Sequence, residues 1–256
     1  MKDIYTEIVE NRRTNKEFAL CIITDKRGSV PRAIGAKMLV YSTGSITGTI
    51  GGGKIEKKVI EDAMRSLKTK EPLSIHYDLS RQLQMSCGGS MEVYIEPVMR
   101  KNKLYIFGAG HTGRALARRA LDFEFEVTII DDRRDYIEDL DIEGVCKIHS
   151  DYQQALQVLP FDDATYITIM TYSHPHDREI LTGCLPRPHA YLGMMGSRRK
   201  VELTKKMFTD DGVATEQELA TVDMPMGIEI NADGPDEIAI SILAKLISVK
   251  NKTKVK

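Results

Sequence analysis

The sequence predicts an α/β fold in which a smaller N-terminal α+β domain precedes a C-terminal, doubly wound parallel sheet. Two observations predict the sheet. An apolar strand near residue 105 runs into a glycine fingerprint and a helix, and strands and helices alternate from there onward. The first hundred residues lack this alternation. We therefore place an α+β domain over residues 1–100 and a Rossmann-like domain over residues 101–256.

The apolar pattern of the N-terminal domain predicts two helices and three strands. One helix begins over residues 4–9, where apolar residues recur at helical spacing, and a second covers 55–67. Residues 19–23 and 38–41 are short apolar runs, typical of buried strands. Residues 92–96 alternate apolar and polar side chains, as a half-buried strand does.

Strands and helices follow one another in the C-terminal domain. The predicted strands lie near residues 103–107, 126–131, 145–148, 165–170 and 190–192. The predicted helices lie near residues 113–121, 151–158, 177–184 and 197–207. A last helix over 235–248 opens with Pro235, Asp236 and Glu237, which favour a helix N-terminus.

The composition is that of a soluble globular protein. The chain has 256 residues, 42% hydrophobic and 29% charged, and its net charge of −1 argues against a nucleic-acid surface, which is normally basic. We expect neither a membrane span nor a secretory signal, because no apolar run approaches the ~20 residues that a spanning helix needs. The four cysteines are scattered without a CxxC pair. This pattern favours a reducing cytoplasm over a disulfide framework or a zinc finger.

The glycine fingerprint predicts a nucleotide site. Gly108, Gly110 and Gly113 stand between a strand and a helix, and Asp131 ends the next strand at the spacing of a ribose-binding acid. Such a site could take NAD(P) or another adenosine-containing ligand, and the run Asp132-Arg133-Arg134 leaves the ribose open, because an arginine beside the acid can accept a 2′-phosphate. Alternatively, the glycines could serve packing alone. His111, inside the fingerprint, could contact a metal-bound ligand or simply lie at the helix start.

The N-terminal domain carries glycine segments that scaffolding does not explain. Ser29 and Arg32 supply a hydroxyl and a guanidinium, the pair that often holds a phosphate or carboxylate. Gly51, Gly52 and Gly53 precede a helix, where exposed N–H groups make an anion cradle. Glu56, in the first turn of that helix, could contact a ligand held there or merely favour the helix N-terminus.

Three further segments carry candidate chemistry for metal or anion binding. Cys87, beside two glycines, is either a small buried residue or a thiolate that a ligand can reach. Ser197 and Arg198 open a basic helix start, which capping explains but which also favours a nearby anion. His174 and Asp177 lie in a predicted loop and form, with His176, the one cluster with metal-ligand chemistry, although such loop clusters are usually structural.

The order of these motifs resembles the XdhC/CoxI family of accessory proteins for xanthine dehydrogenase and related molybdenum hydroxylases. The resemblance covers about residues 18–248. It rests on the segments 28–32, 48–53 with Glu56, 87–89, 107–111, 131–133, 193–200 and 235–239. Family members usually place a histidine closer to strand 165–170, whereas the first histidine after that strand here is His174.

The resemblance implies a maturation chaperone. Such a protein binds the molybdenum cofactor, protects it while sulfur is installed, and inserts it into an apo hydroxylase of the xanthine dehydrogenase type. It also implies a homodimer and a cysteine desulfurase as a second partner. For such a cofactor, Glu56 could hydrogen-bond pterin nitrogens, and a Cys87 thiolate could be either a soft ligand for molybdenum or a sulfur relay. Two alternatives remain open: an NAD(P)-dependent oxidoreductase using the fingerprint, and a nucleotide-sensing regulatory module. The oxidoreductase lacks a recognisable proton-transfer constellation beside its hydride site.

Overall fold

A computed structural model describes residues 3–79 and 89–252 of the chain. It divides into two compact units, Met1–Arg100 and Lys101–Lys256. The second unit therefore starts one residue before the strand that begins at Asn102.

The N-terminal unit is built on a five-stranded antiparallel sheet with strand order β3-β2-β1-β5-β4. Its elements are α1 (Ile4–Arg13), β1 (Phe18–Arg27), β2 (Lys37–Tyr41), β3 (Ile46–Gly48), α2 (Gly53–Thr69), β4 (Leu73–Asp78) and β5 (Ser90–Val98). Helix α2 buries Ile55, Val59 and Ala63 against the apolar side of this sheet, which forms the core of the unit.

Both strands that the sequence analysis missed lie at the edges of this sheet. Strand β3 has only three residues, and β4 alternates exposed and less exposed side chains along its length. Edge strands bury little apolar surface, so the hydrophobic pattern that reveals central strands is weak there.

The C-terminal unit contains a five-stranded, fully parallel sheet with the order β10-β9-β6-β7-β8. Its strands are β6 (Asn102–Phe107), β7 (Phe125–Asp131), β8 (Cys146–His149), β9 (Thr165–Ile169) and β10 (Tyr191–Met194). Its helices are α3 (His111–Ala120), α4 (Arg134–Glu138), α5 (Tyr152–Val158), α6 (His174–Cys184), α7 (Arg198–Asp210), α8 (Glu216–Ala220) and α9 (Gly234–Lys252). This is the strand order of a nucleotide-binding Rossmann half, which confirms the predicted doubly wound sheet.

The sheet of the C-terminal unit has two apolar clusters. One joins Leu116 of α3 and Ile242 of α9 to the sheet, and the other joins Leu156 of α5 and Ile180 of α6 to it. The strand order reverses direction between β6 and β9, so their carboxyl ends leave a crevice where ligands of such folds bind.

One predicted loop proves to be helical. Helix α6 begins at His174, so His174, His176 and Asp177 form its first turn. Proline at the second helical position is compatible with this start, because its missing N–H would have no partner there. The short helices α4 and α8 were also not predicted.

Within residues 3–79 and 89–252, no helix is long and apolar enough to cross a membrane.

We predict that Gly113→Ala destabilises the C-terminal unit by about 1–3 kcal/mol, the usual cost of overpacking. A Cβ at Gly113 would overlap the carbonyl oxygen of Gly108. The matched control is Gly110→Ala, because a Cβ there meets nothing within 4 Å. It should cost at most about 1 kcal/mol, the effect of a poorer N-cap. Urea unfolding of both variants checks this, and equal losses would contradict it.

Candidate functional site

A cavity of about 440 Å³ lies at the carboxyl ends of the parallel strands in the C-terminal unit. Its lining comes from the starts of α3 and α9, the loops after β7 and β9, and the end of β10. The lining residues are Gly110, His111, Thr112, Gly113, Arg133, Tyr136, Met170, Thr171, Tyr172, Met195, Gly234, Pro235 and Ile238. It therefore occupies the crevice that the strand order predicts.

The three fingerprint glycines have different structural roles. Gly108 adopts a φ of +119°, and a Cβ there would overlap the Met170 carbonyl, so this glycine lets the ends of β6 and β9 approach. Gly113 lets α3 pack on the same loop. Only Gly110 faces open space, and its φ of −68° would suit other residues. Packing thus accounts for two glycines, whereas the third leaves room for a ligand at the helix start.

Asp131 is placed differently from the predicted ribose contact. Its side chain is 0% exposed. Its carboxylate accepts hydrogen bonds from the Ala109 N–H at 2.7 Å and from Arg133, whose Nε and Nη2 are both 2.8 Å away. Burial alone would raise the pKa of Asp131, but these hydrogen bonds and the Arg133 charge lower it overall. Asp131 fixes the fingerprint loop and is not among the residues lining the cavity.

Arg133 lines the cavity in its place. The guanidinium carbon lies 3.6 Å from the ring centre of Tyr136 and 4.2 Å from that of Tyr172. These contacts, with the two hydrogen bonds to Asp131, hold the guanidinium in one orientation.

Asp132, the next residue in the chain, also makes contacts within the protein. Asp132 Oδ2 accepts a hydrogen bond from the Tyr172 hydroxyl at 3.0 Å and lies 3.6 Å from His176 Nε2. Asp132 Oδ1 is buried without a hydrogen-bond partner in the described part of the chain. Tyr172 therefore ties the loop after β9 to the loop after β7.

His111, Ser197 and Arg198 do not form one group. His111 is the exposed first residue of α3 and lines the cavity. The Ser197 hydroxyl accepts a hydrogen bond from the Lys200 N–H at 3.3 Å. Ser197 therefore caps the start of α7, which is one of the two roles considered for it. The Arg198 side chain is 89% exposed and lies 3.6 Å from Glu229. Neither Ser197 nor Arg198 lines the cavity.

The anion that the basic start of α7 favours is Asp177. Lys200 Nζ lies 2.6 Å from Asp177 Oδ2 and 2.9 Å from the Met195 carbonyl oxygen. The other oxygen of this 1%-exposed carboxylate accepts hydrogen bonds from the N–H and the hydroxyl of Thr171. The pair joins the starts of α6 and α7 beside the cavity.

This geometry does not favour a metal site at His174 and Asp177. His174 Nδ1 is 4.0 Å from Asp177 Oδ2, and both oxygens of that carboxylate already accept protein hydrogen bonds. Among the described residues, no group of three His, Cys, Asp or Glu side chains is arranged to hold a metal ion.

The glycine segments of the N-terminal unit converge. A Cβ on Gly51 would lie 2.9 Å from the Pro31 Cβ, so the loop before α2 packs on the loop after β1. A Cβ on Gly89 would overlap the carbonyl oxygen of Ser29 in that same loop. Three segments far apart in sequence therefore meet at one place, and each contact requires the absence of a side chain.

The predicted anion cradle contains an anion from its own chain. Glu56 Oε2 accepts a hydrogen bond from the Gly52 N–H at 3.2 Å and another from the Thr49 hydroxyl. The Thr49 hydroxyl also accepts the Gly51 N–H at 3.1 Å. Glu56 therefore stabilises the loop as a cap, and α2 begins at Gly53 directly after it.

Ser29 and Arg32 are exposed at this junction, in the loop after β1. Cys87 lies outside the described residues. Of the cysteines in the described part of the chain, Cys21 and Cys184 are buried and Cys146 is exposed. Burial raises the pKa of both buried thiols to about 12, which makes them unreactive.

Sequence reasoning missed the residues that shape the cavity through contacts between elements. Tyr136 and Tyr172 fix Arg133, and Lys200 neutralises Asp177. One usable signal was present: aromatic residues that closely follow the carboxyl ends of β7 and β9 must meet at the same sheet edge.

We predict that Lys200→Met destabilises the C-terminal unit by about 3–5 kcal/mol, because it leaves a buried carboxylate without its partner. Arg199→Met, at the exposed neighbouring position, should stay within about 0.5 kcal/mol of the parent. The double variant Lys200→Met, Asp177→Asn should recover part of the loss. Urea unfolding measures all three, and similar values for the Lys200 and Arg199 variants would contradict the assigned role.

We predict that Asp131→Asn lowers the free energy of unfolding by roughly 3 kcal/mol at pH 7. The pKa of Asp131 in the folded state lies below the unfolded value of about 3.9. The ionised side chain therefore stabilises the folded state fully at pH values above about 3.9. This stabilisation is lost as the pH falls through the folded-state pKa. The stability difference between parent and variant should therefore shrink below about pH 4. Urea unfolding at a series of pH values tests this, and a difference that stays constant down to pH 2 would count against it.

Comparisons with known proteins agree with this architecture. The family model described as the XdhC Rossmann domain matches residues 104–246, and the model of the XdhC and CoxI family matches residues 12–78. A crystal structure titled as a xanthine dehydrogenase from Bacillus halodurans has the same fold, with a TM-score of 0.54 and 22% identity. That similarity covers 98% of this chain and 96% of the other.

Two curated relatives are longer than this chain. "Uncharacterized protein YqeB" of Escherichia coli K12 is 36% identical over 255 residues, or 97% of this chain and 46% of the relative. A Bacillus subtilis protein, named as a probable xanthine dehydrogenase subunit, is 26% identical over 167 residues, or 64% of this chain and 47% of the relative. The chain thus spans about half the length of these relatives. Because the Rossmann-domain model alone matches more than half of the chain, the protein belongs to the XdhC and CoxI family.

Proposed function

We propose that this protein is an accessory factor for a xanthine dehydrogenase-type enzyme, which binds the molybdenum cofactor, holds it while sulfur is installed, and inserts it into the apo-enzyme. The observation that carries the proposal is the convergence of the three glycine segments in the N-terminal unit, where Gly51 meets Pro31 and Gly89 meets Ser29. A simple Rossmann protein has no need of this second glycine-rich junction.

Ser29 and Arg32, which are exposed at this junction, and two residues close to it in sequence suit the chemistry of the cofactor. Molybdopterin carries a terminal phosphate, a polar pterin and a dithiolene that binds molybdenum. Ser29 and Arg32 would hold the phosphate through charge-assisted hydrogen bonds. Glu56, which already accepts the Gly52 N–H, has a second carboxylate oxygen for pterin nitrogens. Cys87, two residues before Gly89, would supply a soft sulfur ligand to molybdenum.

The partners belong to the same proposal. The name of the Bacillus subtilis relative supports a client of the xanthine dehydrogenase type. A cysteine desulfurase as sulfur donor, a homodimeric state and a cytoplasmic location follow from the family resemblance.

An NAD(P)-dependent oxidoreductase is the second candidate, favoured by the cavity at the fingerprint and by the open space at Gly110. The titratable side chains lining that cavity are His111, Arg133, Tyr136 and Tyr172, with no carboxylate among them. An oxidoreductase needs a group that moves a proton beside the hydride, and no paired acid and base lines this cavity in the described structure.

We predict that the full chain, purified anaerobically from cells that make molybdopterin, retains molybdenum and a pterin. Arg32→Met should lower the retained pterin roughly tenfold or more, the effect of losing one charge-assisted contact. Arg27→Met is the matched control, because Arg27 is also exposed and lies in the preceding strand. Molybdenum analysis and fluorescence of the oxidised pterin give the readout. Hydride transfer with NADH or NADPH and no retained pterin would overturn the carrier in favour of the oxidoreductase.

The thiol proposal has its own test. Cys21 and Cys184 are buried, so Cys146→Ser removes the exposed thiol of the described residues. If Cys87 serves as a metal contact, this variant retains one thiol that reacts rapidly with a disulfide reagent, and bound cofactor slows that reaction. Cys87→Ser should then lose molybdenum while Cys146→Ser keeps it. Absence of a rapidly reacting thiol in the Cys146→Ser variant would contradict the metal contact.

A further inference from the structure

The cavity of the C-terminal unit lacks the carboxylate that usually binds a ribose. In Rossmann folds an acid at the end of the second strand accepts hydrogen bonds from the ribose hydroxyls. Asp131 occupies that position, but it is fully buried and bound to Ala109 and Arg133. Asp132 accepts the Tyr172 hydroxyl through one oxygen, and its other oxygen is buried. Neither acid is among the residues lining the cavity, and the partly exposed Asp132 is held by Tyr172, so a ribose diol finds no unengaged carboxylate there.

Arg133 stands where that acceptor is missing. Its Nε and Nη2 atoms bind Asp131, and the rings of Tyr136 and Tyr172 lie against the guanidinium. Its Nη1 atom makes no hydrogen bond with the residues that the structure describes, and the side chain remains 27% exposed. The cavity is therefore lined by a guanidinium of fixed orientation with one nitrogen left to donate, a geometry suited to a phosphate oxygen.

The cavity lining offers an anion hydrogen-bond donors, although the charge of Arg133 is balanced by the buried Asp131. Among its thirteen residues, Arg133 carries the one permanent charge, and none is a carboxylate. Helices α3 and α9 both begin at the cavity, and helix N-termini carry partial positive charge. A ligand with two separated phosphates would match Arg133 at one end and the start of α3, beside Gly110, at the other.

We propose that Arg133 makes this cavity selective for a nucleotide whose ribose carries a 2′-phosphate, over the same nucleotide with a free ribose diol. The inference rests on the nucleotide-binding role of the cavity and is independent of cofactor binding at the N-terminal glycine junction.

The test compares ligands that differ by this one phosphate. The full chain is titrated calorimetrically, at fixed ionic strength, with adenosine 2′,5′-bisphosphate and with adenosine 5′-monophosphate, and then with NADP⁺ and NAD⁺. The parent should bind the 2′-phosphorylated member of each pair at least about tenfold more tightly, the effect of one charge-assisted contact. Discrimination between the adenosine pair alone would place the ligand in another class of 2′-phosphorylated nucleotide than NADP⁺.

Variants assign the effect to Arg133. Arg133→Met leaves the buried Asp131 unpaired, so the double variant Asp131→Asn, Arg133→Met serves as the form expected to fold, with its melting temperature as the check. It should bind both members of each pair equally, and Arg133→Lys should keep only part of the preference. Arg134→Met is the matched control, because Arg134 is 72% exposed and pairs with Glu138; it should keep the full preference.

Three outcomes overturn the inference: equal affinity of the parent for both members of each pair, binding of neither member, or an equal loss in the Arg134 variant. Each can occur while the protein still retains pterin, and loss of pterin retention can occur while the nucleotide preference stands. Failure of the inference and failure of the proposed function are therefore distinguishable.

Discussion

The C-terminal unit depends on one buried carboxylate. Asp131 ends strand β7, and its oxygens accept the Ala109 N–H of the fingerprint loop as well as Arg133. A carboxylate without water around it must find such donors, since an unpaired buried charge costs several kcal/mol. The loop after β6 and the loop after β7 are thus fixed to each other. The orientation of Arg133 against the two tyrosine rings follows from that pairing, and so does the hydrogen-bond donor that Arg133 presents to the cavity.

Much of the fold could be predicted because it is recorded in local patterns. Four of the five parallel strands, β6, β7, β9 and β10, are largely buried and appear as apolar runs, and the fingerprint glycines mark the turn after the first of them. Elements that bury little surface were not predicted: the edge strands β3 and β4 and the one-turn helices α4 and α8. The first turn of α6 looked like a loop because Pro175 interrupts it, although proline is well tolerated there.

The positions of the two glycine loops could be predicted from the sequence, whereas the contacts of their side chains could not. Glycine spacing located both loops correctly in sequence, yet the roles of individual side chains depend on partners that sequence alone does not reveal. Asp177 was considered as a metal ligand because it lies near two histidines, whereas its partner is Lys200, twenty-three positions later. Asp131 was expected to face a ribose, whereas an arginine two residues on covers it. Such pairings are set by which helix starts meet at the sheet edge, a tertiary property.

The carboxylate of Glu56 inside its own glycine loop has a consequence for cargo release. A loop of unpaired N–H groups would bind phosphate groups without discrimination. Release of a bound phosphate would then cost the free energy of leaving those N–H groups without acceptors. Here the Gly52 N–H already has an internal acceptor in Glu56. In the proposed carrier, fewer N–H groups would therefore be left without a hydrogen-bond acceptor when the cofactor leaves. Release of the cofactor to the apo-enzyme would then cost less free energy than release from a loop of unpaired N–H groups.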